Sequence, residues 1–398
     1  MEVEGRPAVF LDAPGGTQVP QRVAEAVSAA LLSANANLDG QFLTSRRAQR
    51  IEDEAHAAVA DFLGCSPSEV VFGPNMTTLT FAFSRAFGRE LSDGDEILVT
   101  QIDHDANVAP WMALGEQGVV VRSVDVRVED CTLDIDGLGG MLNERTRLVA
   151  VGYASNSVGT VNDVAAVTRA AHEVGAKTFI DAVHYAPHGP IDVRSLDCDF
   201  LACSPYKFFG PHQGVLYGKE EHMERLRPYK VRPAEDAAAG RWETGTQSVE
   251  AMAGVTAAID YLAELGRRTA GRTDLGRREA ILAAMEAGRV YERGLSEQLV
   301  AGLTAIPGLA FYGIREPERF DHRTPTVSIR LAGLTPRDLA KELGRRGIFV
   351  WDGNYYAINL SERLGVEETG GMVRIGCAHY NTAEEIDRLL AELRSLAA

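Results

Sequence analysis

The sequence predicts an α/β protein, with a large domain on a mostly parallel sheet and a smaller α+β domain after it. Two observations predict this. Between about residue 70 and residue 218, short apolar runs alternate with stretches of helical periodicity, the pattern of successive βαβ units. After a long helical stretch, the C-terminal part alternates again between strand-like runs and helices, with antiparallel strands carrying helices on one face expected there. The expected boundaries are 20–275 for the large domain and 276–398, joined by 1–19, for the small one. At 398 residues and 45% hydrophobic content, the chain can bury cores for both.

Taken in order, residues 1–20 look irregular, because LDAPGGTQVP sets Gly, Pro and Asp in turn-forming company. QRVAEAVSAALLSA has helical periodicity. A polar loop, NANLDGQFLTSRRAQ, then leads into an alanine-rich helix from about Arg50 to Leu63. EVVFGPNMTTLTFAFSRAF reads as strand, turn and helix. DEILVTQIDHDAN, VVVRSVDV, RLVAVGYAS and KTFIDAV supply strands, with helices around Trp111–Gly115 and over NDVAAVTRAAHEVG. DFLACSPYK and GVLYG are two further strand-like pieces. From Val249 to about Leu303 the pattern is helical, broken around Gly266–Thr273, and the domain joint is expected within 260–290. LAFYG, TVSIRL, a helix near Pro336–Arg346, GIFVWDG, GMVRIGCA and a last helix from Thr382 complete the chain, with antiparallel pairing expected among these strands.

Charge and cysteine usage narrow the function. A net charge of −16 and a pI of about 5.1 argue against nucleic-acid or membrane-surface partners. The opening residues MEVEGRPAVF show neither a basic n-region nor an apolar h-region, so no signal peptide is expected. Apolar runs stay well below the roughly 20 residues of a membrane span. The five cysteines are scattered, without a CxxC pair, so neither a metal site nor a disulfide framework is expected and a reducing cytoplasm is the default.

Ligands of doubly wound sheets sit beyond the carboxyl ends of the strands, and the loops that fall there carry the candidate residues. The stretch 179–218 ends one apolar run on Asp181 and sets Lys207 after another, among Ser204, Tyr206, Phe208 and Phe209. A lysine amine that forms a Schiff base and a carboxylate that keeps a pyridine nitrogen protonated are the two groups pyridoxal phosphate requires. An apolar setting also lowers an amine's pKa toward nucleophilic reactivity. Asn75, Met76, Thr77 and Thr78 form either a phosphate cup or an ordinary helix cap. His104 is either a ring lying on an aromatic cofactor or a structural histidine. Asn156, alone, is a loop polar residue.

In their joint order these motifs resemble the class V aminotransferase family, the fold-type I pyridoxal phosphate enzymes that include the cysteine desulfurases. The resemblance runs through LDAPGGTQVP, FGPNMTT, DHDANVAPW, SNSVGTVNDV, DAVHYAPHGPIDVRSLDCDF, SPYKFFGPHQGVLYG, RWETGTQ and MVRIGCAHYNTAEEIDRLL. It implies a fold-type I transferase with a seven-stranded large sheet, a homodimer with shared active sites, and pyridoxal 5'-phosphate as cofactor. It also implies roles. Lys207 is the Schiff-base lysine and the base for the Cα proton, Asp181 the pyridine-nitrogen partner and His104 the stacking ring. His184 stands where desulfurases usually carry Gln beside the phenolic oxygen, and Asn156 contacts the same edge. Met76, Thr77, Ser204 and Tyr206 approach the phosphate, with Asn75 or Thr78 in support. Thr246 reaches the phosphate of the partner subunit, and Arg374 grips the substrate carboxylate.

One segment departs from the desulfurase pattern. Where the similar desulfurases carry a nucleophilic cysteine in a loop before the arginine, this chain reads WDGNYYA, with Tyr356 at the cysteine's place. A phenol cannot accept sulfur as a persulfide, which needs a thiolate. The signature resembles a desulfurase-like subfamily that includes lincosamide-biosynthesis enzymes acting on cysteine S-conjugates. The expectation is therefore β-elimination by a C–S lyase in natural-product biosynthesis. Decarboxylating oxidative deamination is the alternative, followed by desulfurase, aminotransferase or epimerase activity. Trp351, Asn354, Tyr355 and Tyr356 are expected to line the substrate mouth, with Tyr356 placed to orient the leaving sulfur or a proton. Cys377, three residues after Arg374, is expected to be structural.

Overall fold

The central strands of the large sheet are buried along both faces, as a sheet covered by helices on two sides requires. The computed structural model describes residues 1–3, 5–237 and 239–397. Seven strands form this sheet: β1 (Val70–Gly73), β2 (Glu96–Thr100), β3 (Val120–Val124), β4 (Thr146–Gly152), β5 (Lys177–Asp181), β6 (Phe200–Cys203) and β7 (Gly214–Gly218). Their spatial order is β1-β7-β6-β5-β4-β2-β3. The pairs among β2 to β6 are parallel, and β7 alone runs against its neighbours β6 and β1. The mostly parallel sheet is thus present as expected.

Alternation along each strand divides its side chains between two cores. Leu148 and Ala150 of β4 join Phe179, Phe200, Phe83 and Trp111 on one face. Val149 and Val151 join Ile180, Leu201, Val59, Phe62 and Ile259 on the other. The helix Met76–Gly88 covers the first face, and the helices Leu43–Leu63 and Val249–Ala270 cover the second.

The helix expected from about Arg50 begins at Leu43. The polar loop folds over its first turn, because the Ser45 hydroxyl accepts from Gly40 N at 2.7 Å and donates to Asn37 O at 2.6 Å. That tertiary closure satisfies groups that the polar composition alone assigned to water.

The long helical stretch is two helices, Val249–Ala270 and Arg277–Thr304, separated at Gly271. Beyond them β8 (Leu309–Tyr312), β9 (Thr326–Leu331), β10 (Trp351–Gly353) and β11 (Met372–Gly376) form an antiparallel sheet in the order β8-β9-β11-β10. Val9–Phe10 pairs in parallel with Ile348–Phe349, so the start of the chain packs into the C-terminal core beside Leu299, Ile329, Val373 and Ile386. Among the described residues no helix is long and apolar enough to cross a membrane.

Candidate active site

The carboxyl ends of β1, β2, β4, β5 and β6 open onto one cavity of about 480 Å³, closed on the far side by the segment from Trp351 to Tyr356 and by Arg374. Asn75, Met76, Thr77, His104, Asn156, Asp181, His184, Ser204, Tyr206 and Lys207 all line it, together with Trp351, Asn354, Tyr355, Tyr356 and Arg374. The strand-end rule therefore brought together most of the residues picked from the sequence. Thr246 lies elsewhere, in a separate concavity beside Asn35 and Asn37. Thr78 is exposed and does not line the cavity.

Lys207 ends a short 3-10 turn that starts after β6, and the buried Phe208 and Phe209 follow it. Its Nζ donates to the Pro14 carbonyl and stands 4.8 Å from the centre of the Tyr206 ring. Burial first, then the Arg374 cation, bring its amine down to about 7 against the pull of Asp181. Asp181, the last residue of β5, accepts from Val183 N at 2.8 Å, and burial raises its carboxyl to about 6. His104 Nδ1 accepts from Ala106 N at 3.0 Å, which leaves Nε2 as the protonated ring nitrogen. Burial, with Lys207 and Arg374 nearby, holds the ring down to about 4, so it is neutral at working pH.

Beside Asp181 lies Asp103, which the sequence reading passed over. It accepts from Gly152 N at 2.6 Å and from Asn107 Nδ2 at 3.0 Å. Burial and the neighbouring Asp181 push its carboxyl well above the usual range. Its signal in the sequence was only an acid preceding His104 at a strand end.

The arginine of β11 is buried, and its side chain is held in place from two sides. Arg374 Nη1 donates to Asn156 O at 2.9 Å, and the guanidinium lies 4.4 Å from the centre of the Tyr355 ring. Its Nε and Asn156 Oδ1 are buried without a protein partner among the described residues. Tyr355, expected as a mouth residue, spends its hydroxyl on the Met372 carbonyl and so backs the arginine. Asn354, expected to meet substrate, is spent as well: its Nδ2 donates to Glu367 Oε1 at 2.9 Å, and its Oδ1 accepts from Tyr356 N at 3.0 Å. Asn156 Nδ2 donates to Tyr355 O at 2.9 Å, and Asp105 N donates to Tyr356 O at 2.7 Å. The segment is therefore pinned at four points, with Tyr355 and Tyr356 both at positive φ. Trp351 lies against Gly15, where an added Cβ would stand 2.3 Å from the indole Nε1.

The five thiols lie away from the cavity wall. Cys131, Cys198, Cys203 and Cys377 are buried and Cys65 is half-buried; burial pushes each thiol up, Cys65 and Cys131 to about 12. Cys377 has the structural position expected of it.

The donor set fits a phosphate-bearing aromatic aldehyde. The Met76 and Thr77 N–H groups open the helix Met76–Gly88, while Asn75 caps it by accepting from Thr78 N at 2.8 Å. Gly214 lets β7 approach this turn closely and so holds it in place, because an added Cβ would stand 2.4 Å from Asn75 C and 2.8 Å from Met76 N. A buried acid and an amine brought down to about 7 complete the set.

A family model described as Aminotransferase class-V matches residues 9–389. A cysteine desulfurase of Pectobacterium carotovorum subsp. carotovorum is 32% identical, with 99% of this chain and 94% of that protein aligned. An uncharacterized protein of Mycobacterium tuberculosis is 30% identical, with 98% and 95% aligned. Among solved structures, the apo cysteine desulfurase from Thermococcus onnurineus superposes with a TM-score of 0.88 at 26% identity, covering 98% of this chain and 94% of that one. A cysteine desulfurase from Escherichia coli gives 0.82 at 27% identity, with the same coverage of 98% and 94%. The chain belongs to the aminotransferase class-V family of fold-type I pyridoxal phosphate enzymes, whose cofactor its cavity fits.

Proposed function

We propose that the protein is a C–S lyase that performs β-elimination on a cysteine S-conjugate in natural-product biosynthesis. The observation that carries this reading is Tyr356. It lines the cavity, 72% exposed, on a segment pinned to the cavity wall, and the resemblance to desulfurases would put their cysteine at this position. Sulfur transfer to the protein needs a thiolate within reach of the substrate, and the thiols lie off the cavity wall. In the proposed reaction the Cα–H and Cβ–S bonds break, and the sulfur leaves with its electron pair and takes a proton. With one water consumed, the products are a thiol, pyruvate and ammonia.

When bound, pyridoxal phosphate supplies the electron sink for the charge that develops at Cα. Lys207 holds the cofactor and, with an amine near 7, takes the Cα proton at neutral pH. Asp181 would hold the proton on the pyridine nitrogen. Neutral His104 would lie on the ring without opposing the positive charge there. Met76, Thr77, Ser204 and Tyr206 would hold the phosphate, assisted by the partner subunit's Thr246 in a homodimer. Asn156 and His184 would meet the ring oxygen. Arg374 would bind the substrate carboxylate, and its plane is set by Tyr355 before substrate arrives. Unpaired thiols throughout the chain support action in a reducing cytoplasm.

The test is to incubate the holoenzyme with cysteine and with several bulky S-substituted cysteines. Thiol, sulfide, pyruvate, alanine and carbon dioxide are read separately. Thiol and pyruvate in equal amounts are expected. Alanine with protein-bound sulfur would make it a desulfurase, and carbon dioxide with an aldehyde would make it a decarboxylating oxidase.

A further inference from the structure

Behind the cavity a line of buried polar side chains leads away from His184. His184 and His188 lie four residues apart in the loop after β5, both buried, and their rings meet edge to face with centroids 5.3 Å apart. His184 Nε2 is 3.2 Å from Thr324 Oγ1, which leaves Nδ1 for the cavity that the ring lines. His188 Nδ1 is 2.8 Å from Glu292 Oε2, on the helix Arg277–Thr304. Glu292 is 2% exposed, and its Oε1 has no partner among the described residues.

The arginines near this carboxylate are engaged elsewhere. Arg323 donates to the carbonyls of Ile314, Thr324 and Thr326, while Arg289 and Arg293 pair with Asp321. His188 is therefore the side chain that answers Glu292, and a buried carboxyl needs such a hydrogen-bond partner.

We propose that Glu292 and His188 are positioning residues for His184: the carboxylate fixes a proton on His188 Nδ1, and His188 in turn keeps His184 neutral with Nδ1 toward the cofactor. His184 faces His188, Arg374, Lys207 and Thr324, and His188 faces Glu292, His184 and His379. Burial first, then His188, Arg374 and Lys207, hold the His184 ring well below its ordinary value. Thr324 Oγ1 is also 3.3 Å from Gly159 O, so its single proton can go to that carbonyl or to Nε2. Turning this hydroxyl lets His184 offer Nδ1 as acceptor or donor without taking up a charge. The inference rests on the cavity being the pyridoxal phosphate site and is independent of which reaction follows.

The test uses protein labelled with [15N]histidine, as apoprotein and as holoenzyme, for the wild type and for Glu292→Gln, His188→Gln and Glu292→Asp. Ring-nitrogen shifts report charge and tautomer, and visible absorbance reports the bound cofactor. Loss of the carboxylate or of His188 is expected to raise the His184 midpoint by about one pH unit, a tenfold change. The midpoint of the cofactor absorbance should move too, and Glu292→Asp should restore both. Variants that keep their cofactor and lose only thermal stability, with His184 and the absorbance unmoved, make the pair structural and overturn the proposal. If the variants do not fold, the wild-type titration decides. Two-step curves shared by His184 and His188 support the coupling, and independent single-step curves overturn it. Failure of the holoenzyme to show any cofactor absorbance would instead sink the site assignment itself.

Discussion

The Tyr356 ring lies nearly parallel to His104, with centroids 5.4 Å apart and planes 24° from each other. Tyr356 is thus packed against the histidine proposed to lie on the cofactor. Its hydroxyl bonds to nothing among the described residues. Tyr356→Phe keeps the stack and should change kcat/KM by less than about twofold. Tyr356→Ala removes a contact worth about 0.5–1.5 kcal/mol, so kcat/KM should fall roughly 2- to 10-fold. A large loss in the Phe variant, measured on the same S-substituted cysteine, would assign the hydroxyl a proton to move.

Arg374 and Tyr355 should separate by size of effect. Arg374→Ala removes charge-assisted bonds worth about 3 kcal/mol, so kcat/KM for an amino-acid substrate should drop about 100-fold. Tyr355→Phe loses the bond to the Met372 carbonyl, about 1 kcal/mol, and should raise KM a few-fold while kcat holds. Steady-state kinetics on both variants check the ranking.

The Lys207 amine, near 7 when folded, gives a pH signature. An unfolded lysine titrates near about 10.4, so between these values the unfolded chain binds the extra proton. The apoprotein is thus destabilised by this group at low pH, and the penalty is relieved as pH rises above about 7. Cofactor uptake by the apoprotein, followed by absorbance, should accelerate through about pH 7 and then level off. Lys207→Ala should abolish covalent retention at every pH.

Gly214→Ala puts a methyl group into backbone at 2.4 Å from Asn75 C. Backbone cannot step aside as a side chain can, so overpacking of about 1–3 kcal/mol is expected. The displaced segment carries the Met76 and Thr77 N–H groups. Cofactor affinity in equilibrium dialysis should therefore fall about tenfold, with a lower Tm.

Asn354→Ala removes the side-chain bonds to Glu367 and to Tyr356 N. Amide exchange over 353–357 should speed up at least tenfold, with exchange elsewhere unchanged. A segment that stayed protected would mean that the bonds to Asn156, Asp105 and the Met372 carbonyl suffice to hold it.

The strand ends could be read from the sequence where an apolar run closes on a polar residue, as at Thr100 and Asp181. Side chains whose roles come from distant partners could not. Asp103 looks like part of the His104 loop until Gly152, on the neighbouring strand, donates to it. Glu292 lies on a periodic helix and gains meaning only opposite His188. Asn354 lines the cavity as expected and also closes a turn, for a local reason: an Asn side chain can accept from the N–H two residues on, and WDGNYYA offers that option openly. The early start of the helix at Leu43 depended on Ser45 meeting Asn37 and Gly40, a closure that composition does not announce.

The sheltered thiols have a practical consequence. Every native cysteine is at least half-buried, and burial disfavours each thiolate. Alkylating reagents should therefore spare the native chain. A cysteine introduced at an exposed position such as Tyr229 or Leu32 would then carry a fluorophore alone, without first stripping the protein of its own sulfur.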